Sequence, residues 1–251
     1  MAETGHMQGR GRPARRRFVL QVLGVGIAVV LLLWGADTLA RISAQTLLER
    51  NIQDATGVGV RPEVEVQGLL FLPQVIRGAY SEVHVTTRGI TSGPLRIDRV
   101  DSQLFDVQVP FHDVLVGNIR QIAVGHSVEN LDLTSDDLNA YLAATGRRLK
   151  LSPSSDGSVT LSGNVNVLGQ SVRVSAEVTL SVEDDLLRIS PQNFSAGAVS
   201  LDAASRLLLR QRQTLIVPLG TLPFGHRLTG VQADHDGVHL TAEGVDFLIS
   251  P

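Results

Sequence analysis

Seven histidines and 25 acidic residues are the groups in this chain with the chemistry for proton transfer or metal binding. His6 lies in a polar N-terminal tail, and His84, His112, His126, His226, His235 and His239 fall in strand or turn contexts. His235-Asp236-Gly237-Val238-His239 brings two imidazoles and a carboxylate within five residues. Asp-Gly is a hairpin-turn signal, however, and two histidines flanking a turn lack the fixed geometry of a zinc site, so this stretch reads as a solvated turn. Asp136 and Asp137 diverge around a helix axis and read as favourable charges at a helix N-terminus. Asp184-Asp185 reads as a turn. No Gly-x-Ser-x-Gly elbow, phosphate loop or zinc-metalloprotease helix is present, and Gly24-Val25-Gly26 lies inside an apolar run. The absence of cysteine removes thiol nucleophiles, thiolate metal sites, disulfides and a lipid-modified N-terminus. No catalytic residue, metal site or cofactor is assigned, and the chain is expected not to be an enzyme.

What remains is apolar. Phe18–Ala36 holds no strongly polar side chain except Gln21, and follows Arg10, Arg12, Arg15, Arg16 and Arg17. At about 1.5 Å per residue the run reaches roughly 28 Å as a helix, about one hydrocarbon core. The arginines predict a cytoplasmic tail over residues 1–17, a membrane-crossing or signal helix over 18–36, and an extracytoplasmic domain over 37–251. The run exceeds a typical signal-peptide core. Thr38-Leu39-Ala40 resembles a cleavage site but sits inside a continuing helical pattern of Ala44, Leu47, Leu48 and Ile52, with Gly57 as its stop. A retained anchor is favoured over a cleaved signal.

The net charge of −3 hides an asymmetry: residues 1–34 carry +4 and the remainder −7. An acidic exported domain lacks the basic footprint that nucleic acid demands, and broad adhesion to anionic headgroups is excluded on the same ground. Contact with a membrane must be local and apolar. Aromatic residues make up 4% of the chain, too few for sugar-stacking platforms.

From about Arg61 the pattern turns to period-two alternation. Val64 and Val66, then Val83 and Val85, then Phe105, Val107, Val109 and Phe111 predict strands, and Pro110 marks the last of these as an edge or strand end. Val172–Val182 alternates strictly, as a sheet covered on one side requires. Asp156-Gly157, Asp184-Asp185 and Asp236-Gly237 supply turns, and Val245, Phe247 and Ile249 form a last strand. Thr134-Ser135-Asp136-Asp137 caps a short helix carrying Leu138, Tyr141 and Leu142, which stops at Gly146. A second helix is expected near Asp202–Gln211. Leu95-Arg96-Ile97 and Leu187-Arg188-Ile189 each follow a strand and a turn, a faint sign of duplication. The expected architecture is α+β, a strongly curved antiparallel sheet wrapping helices after one N-terminal apolar helix.

Two irregular stretches are apolar where a soluble loop should be polar: Leu69-Leu70-Phe71-Leu72-Pro73-Gln74-Val75-Ile76, and Leu219-Gly220-Thr221-Leu222-Pro223-Phe224-Gly225. Such segments either tuck into a core or mark a binding surface. The functional reading makes Leu69, Leu70, Phe71, Leu72, Val75, Ile76, Tyr80, Leu138, Leu142, Leu222 and Phe224 the candidate lining for acyl chains. Arg77 and Arg227 are the candidate cations for a phosphate headgroup.

The order of Thr46–Arg50, Val64–Gly68, the Leu69–Ile76 turn, Gly78–Val83, Leu95–Val100, Leu104–Val107, Leu138–Leu142, Leu222–Gly225 and Asp236–Val238 resembles the actinobacterial LmeA-like phospholipid-binding family. The resemblance spans most of residues 44–250 and rests on small and apolar positions. It implies a periplasmic, membrane-associated protein that binds phosphatidylinositol-type lipids and supports mannan elongation on envelope lipoglycans, with glycosyltransferases as neighbours. It also implies kinship with tubular lipid-cradling folds. Two other readings stand beside it: an envelope scaffold whose apolar turns bind a partner protein, and an accessory enzyme drawing its acids from Asp98, Asp101 and Asp106.

Overall fold

The computed structural model describes residues 13–56, 59–116, 119, 121–167, 170–195, 215–217 and 227–249. The expected helix near Asp202–Gln211, and with it Leu222 and Phe224, lies outside these residues.

Helix α1, Pro13–Thr56, is one 44-residue helix that contains the apolar run and continues past it. Its proline sits in the first turn, where the missing N–H costs nothing. The strands that follow are β1 (Glu63–Val66), β2 (Ala79–Ser92), β3 (Leu95–Gln108) and β4 (Ile122–Thr134). Then come β5 (Leu149–Pro153), β6 (Val159–Val167), β7 (Gln170–Glu183), β8 (Leu186–Ser195), β9 (Leu215–Val217), β10 (Arg227–Ala233) and β11 (Gly237–Ile249). Short helices α2 (Leu72–Arg77), α3 (Phe111–Val116) and α4 (Ser135–Ala144) lie between them. The fold is α+β and its strand pairs are antiparallel. The strands divide between two sheets, in the orders β1-β2-β3-β4-β11-β10 and β5-β6-β7-β8-β9, and the curvature takes the form of a strongly curled half-barrel.

Local chemistry accounts for the turns. Asp184 and Asp185 both have positive φ, 51° and 60°, as a two-residue hairpin following the sheet twist requires. The hydroxyl oxygen of Thr134 accepts from the N–H of Asp137 at 3.2 Å and caps α4. Along β7, Val174 and Ala176 are buried and Arg173 and Glu177 exposed, as the alternation predicts. Leu95 and Ile97 in β3, and Leu187 and Ile189 in β8, each follow a hairpin and enter the same core.

The interior has two parts. The larger joins both sheets to α4 through Leu131, Leu133, Leu138, Tyr141, Leu142, Leu151, Leu161, Leu187 and Val238. The smaller sits at the other end of the six-stranded sheet. It contains Val66, Phe71, Tyr80, Leu104, Val107, Val109 and Val124, with Ala40 and Ala44 of α1 packed against it.

A line of bends separates the two ends. Asp106 in β3 and Asp246 in β11 have φ of 53° and 48°, and the registers of their neighbours align both with Gly125 in β4. A Cβ on Gly125 would stand 3.1 Å from the Cβ of Asp106, so glycine permits the close approach. On one side of this row Leu104, Ser127 and Gly244 face inward; on the other Val107, Val124 and Phe247 do. Each strand therefore changes face by one residue at the same level, as bulged strands do where a sheet bends sharply. This corrects two expectations. Phe105 and Val107 lie on opposite faces, and Phe105 stacks on His126 with centroids 5.8 Å apart. Val245 belongs to the same strand as Val238–Ala242, is 68% exposed, and faces away from Phe247. The left-handed aspartates break the alternation in both places. Phe111 starts α3 instead of ending β3, because Pro110 closes the strand.

Candidate functional site

The apolar Leu69–Ile76 stretch is a built structure. Gly68, with φ of 124°, turns the chain out of β1, and Gly78, with φ of 63°, ends α2 in the left-handed conformation. Gln74 is the internal brace. Its side-chain amide nitrogen donates to the carbonyls of Gln67 and Leu70, both at 3.0 Å, and its amide oxygen accepts from the N–H of Ser81 at 3.3 Å. The residue is buried, so these bonds satisfy an amide that would otherwise be costly to enclose.

The external brace comes from α1. Asp37, the residue after the apolar run, is buried, and its carboxylate accepts from the N–H of Phe71 at 2.9 Å and of Leu72 at 2.7 Å. One turn on, Arg41 donates to the carbonyl of Gly68 at 2.8 Å and lies 3.8 Å from the Asp37 carboxylate. Backbone donors and acceptor of the loop thus meet a carboxylate and a guanidinium spaced by four residues on one helix face. The sequence reading passed over Asp37 and Arg41. Their signal was two charges at i and i+4 just after a membrane-length run, where solvation alone does not require a pair.

The braced loop sorts its side chains. Phe71 is 4% exposed, and its ring centroid lies 6.3 Å from that of Tyr80; burial pushes the Tyr80 phenol above its usual pKa. Val75 packs on the same smaller core, and Leu72 is half-buried. Leu69 is 96% exposed, Ile76 66% and Leu70 50%. Phe111 of α3 is also exposed, and α3 packs on α2. The candidate lining therefore separates into a buried base (Phe71, Val75, Tyr80) and a bare tip (Leu69, Leu70, Ile76). Leu138 and Leu142 join neither: each is 1% exposed in the larger core, on the far side of the bend line. Arg77 is exposed beside Ile76, and its Nε donates to the carbonyl of Pro73 at 3.0 Å. Arg227 begins β10, the edge strand opposite β1.

Among the described residues, the inward face of the six-stranded sheet carries one charged side chain between the two cores. Glu129 is wholly buried, beside buried Ser127, with Ser102 Oγ at 3.4 Å from its carboxylate.

The convex face is polar. A shallow hollow of about 320 Å³ there is lined by His84, Thr86, Arg99, Asp101 and Asn130 among others, with Arg99 Nε 2.7 Å from Asp101. Farther along, His239 Nδ1 is 2.7 Å from Asp132 and its Nε2 is 3.0 Å from Asp234. Burial pulls the His239 pKa down, but the two carboxylates outweigh it and the net shift is upward. Asp234 also accepts from the N–H of Asp236 and of Gly237, closing the hairpin turn. Ligand atoms of Asp234, His235 and Asp236 lie within 4.8 Å of one another on an open surface, and Asp234 is occupied by the turn and by His239. His239 points to Asp132 and Asp234 and does not join His235. Asp98 and Asp101 are held in ion pairs with Arg96 at 3.0 Å and Arg99 at 2.7 Å, and Asp106 forms the bend.

A family model described as LmeA-like phospholipid-binding matches residues 35–243, most of the chain. The chain belongs to this family. The matched segment starts at Gly35, so it takes in Asp37, Arg41 and the braced loop, together with both sheets as far as residue 243 in β11. No curated protein matches the chain. Membership in a phospholipid-binding family suits the bare apolar tip and the curled sheet, and gives no support to hydrolytic chemistry at the convex-face acids.

Proposed function

We propose that this protein is a non-enzymatic phospholipid-binding protein on the outer side of the cytoplasmic membrane, held there by α1 as a retained anchor. The family match carries the reading. Acyl chains are taken up at the membrane end of the six-stranded sheet, where the Leu69–Ile76 tip and the smaller core adjoin, and burial alone supplies the driving force at about 0.8 kcal/mol per CH₂. Arg77, exposed and directly after Ile76 in the chain, is assigned to the headgroup phosphate. The lipids are of the phosphatidylinositol type, and the protein serves mannan elongation on envelope lipoglycans beside the glycosyltransferases that perform it.

Retention of the anchor has its own support. Cleavage after Ala40 would remove Asp37 and leave the N–H groups of Phe71 and Leu72 without their carboxylate acceptor. The helix past the apolar run is part of the domain's packing, through Ala40 and Ala44.

Native mass spectrometry of the full chain, released from detergent, tests the assignment. Retention of one phospholipid per chain is the expected result. A bare chain that also takes up no labelled lipid from vesicles would overturn it and promote the reading as an envelope scaffold.

A further inference from the structure

The anchor and the apolar tip are mechanically one unit. Asp37 directly follows the last residue of the apolar run, and the stretch from Asp37 to Arg41 holds the loop at Gly68, Phe71 and Leu72. Four residues of helix rise about 6 Å. The headgroup layer outside the hydrocarbon core is itself about 5–8 Å thick. A helix that spans the bilayer with Phe18–Ala36 therefore sets the loop backbone within the headgroup layer. Leu69, 96% exposed, and Leu70 and Ile76, at least half exposed, sit on that backbone. In water three such side chains on one eight-residue tip are a liability; at this height they meet lipid. Trp34, 62% exposed and one turn before Asp37, occupies the level at which tryptophans line membrane interfaces.

We infer that the Leu69–Leu70 tip is a wedge inserted into the outer leaflet beside α1, held at fixed depth by the Asp37–Arg41 clamp. Its partner is the bilayer surface itself, and the inference rests on α1 being the membrane anchor proposed above. Insertion displaces headgroups next to the smaller core, so lipid reaches the domain without crossing water. The clamp also couples the domain to the helix as a rigid arm, so the tip cannot leave the leaflet unless Phe71 and Leu72 release the carboxylate.

The chain has no cysteine, so single-cysteine labelling is direct. The full chain carrying Leu69→Cys, Val25→Cys or Ser154→Cys is labelled with a nitrobenzoxadiazole dye. Each is reconstituted into phosphatidylethanolamine–phosphatidylglycerol vesicles containing lipids spin-labelled at shallow or deep acyl positions. The dye at 69 is expected to be quenched most by the shallow probe, the dye at 25 by the deep probe, and the dye at 154 by neither. Adding Asp37→Ala should cut quenching at 69 severalfold and leave quenching at 25 unchanged. No quenching at 69 with normal quenching at 25 would overturn the wedge while the anchor stands. Loss of quenching at both would overturn the anchor and the wedge with it. Undiminished quenching at 69 in the Asp37→Ala chain would refute the clamp as its depth gauge.

Discussion

Asp37 offers the sharpest perturbation in the molecule. Its carboxylate accepts two backbone N–H bonds at 2.9 and 2.7 Å from a buried position. Hydrogen bonds to a charged group are worth about 1.5–3 kcal/mol each, so Asp37→Ala removes about 3–6 kcal/mol if nothing replaces them. Water entering the space recovers part of this, and a net local loss of about 2–4 kcal/mol is the working figure. One factor of ten in an equilibrium corresponds to about 1.4 kcal/mol, so opening of the loop should rise by roughly 30- to 700-fold. Amide hydrogen exchange resolved by residue reads this directly. Phe71 and Leu72 should lose protection by that factor, while amides of Leu131 and Leu187, deep in the larger core, hold theirs. Asp37→Asn keeps one acceptor oxygen and should fall between. Unchanged exchange at Phe71 and Leu72 would refute the clamp, and an equal loss at all amides would show that the residue supports global stability instead.

Gly78→Ala should lower stability by about 2 kcal/mol or more in chemical denaturation. The position needs φ of 63°, and a Cβ there would stand 2.5 Å from the carbonyl oxygen of Val109. Leu138→Ala should cost about 2–5 kcal/mol and leave lipid retained per folded chain unchanged, because its 1% exposure belongs to the larger core. For His239 the folded pKa lies above the unfolded value, so the protonated ring's contribution is complete below about pH 6.5 and is lost as pH rises through the folded pKa. His239→Gln should therefore reduce the denaturation midpoint at pH 5.5 and change it much less at pH 9.

The sequence showed the antiparallel strands, their hairpins and the capped helix α4, because each is written in local chemistry: alternation, Asp-Gly and Asp-Asp turns, Thr134 three residues before Asp137. It also marked Leu69–Ile76 as abnormal. It did not show which of those side chains stay bare, since Phe71 and Leu69 differ in fate only through the bonds that Gln74 and Asp37 make across 4 to 35 residues of chain. Leu138 and Leu142 carried the same apolar signal as Leu70, yet they fill a core; periodicity reports that a face is buried and not what buries it. The face change at Asp106 was hidden because Phe105, Val107 and Val109 make a plausible alternation, and one left-handed residue is enough to reverse it. The division into two sheets depends on pairing between β4 and β11, more than 100 residues apart, which no local pattern encodes.

The bend row has a consequence for how this chain can change. Asp106, Gly125 and Asp246 reverse the inside and outside of three neighbouring strands at one level. A single-residue insertion or deletion in one strand would leave the half that carries the smaller core out of phase with its neighbours, presenting Gln108 or Leu248 where Val107 or Phe247 should be. Drift at these positions is therefore concerted or lethal to the fold. Homologous chains should carry a left-handed aspartate, asparagine or glycine at the columns of Asp106 and Asp246 and a glycine at that of Gly125, the three shifting together when they shift, like a crease that can be moved only by refolding the whole sheet.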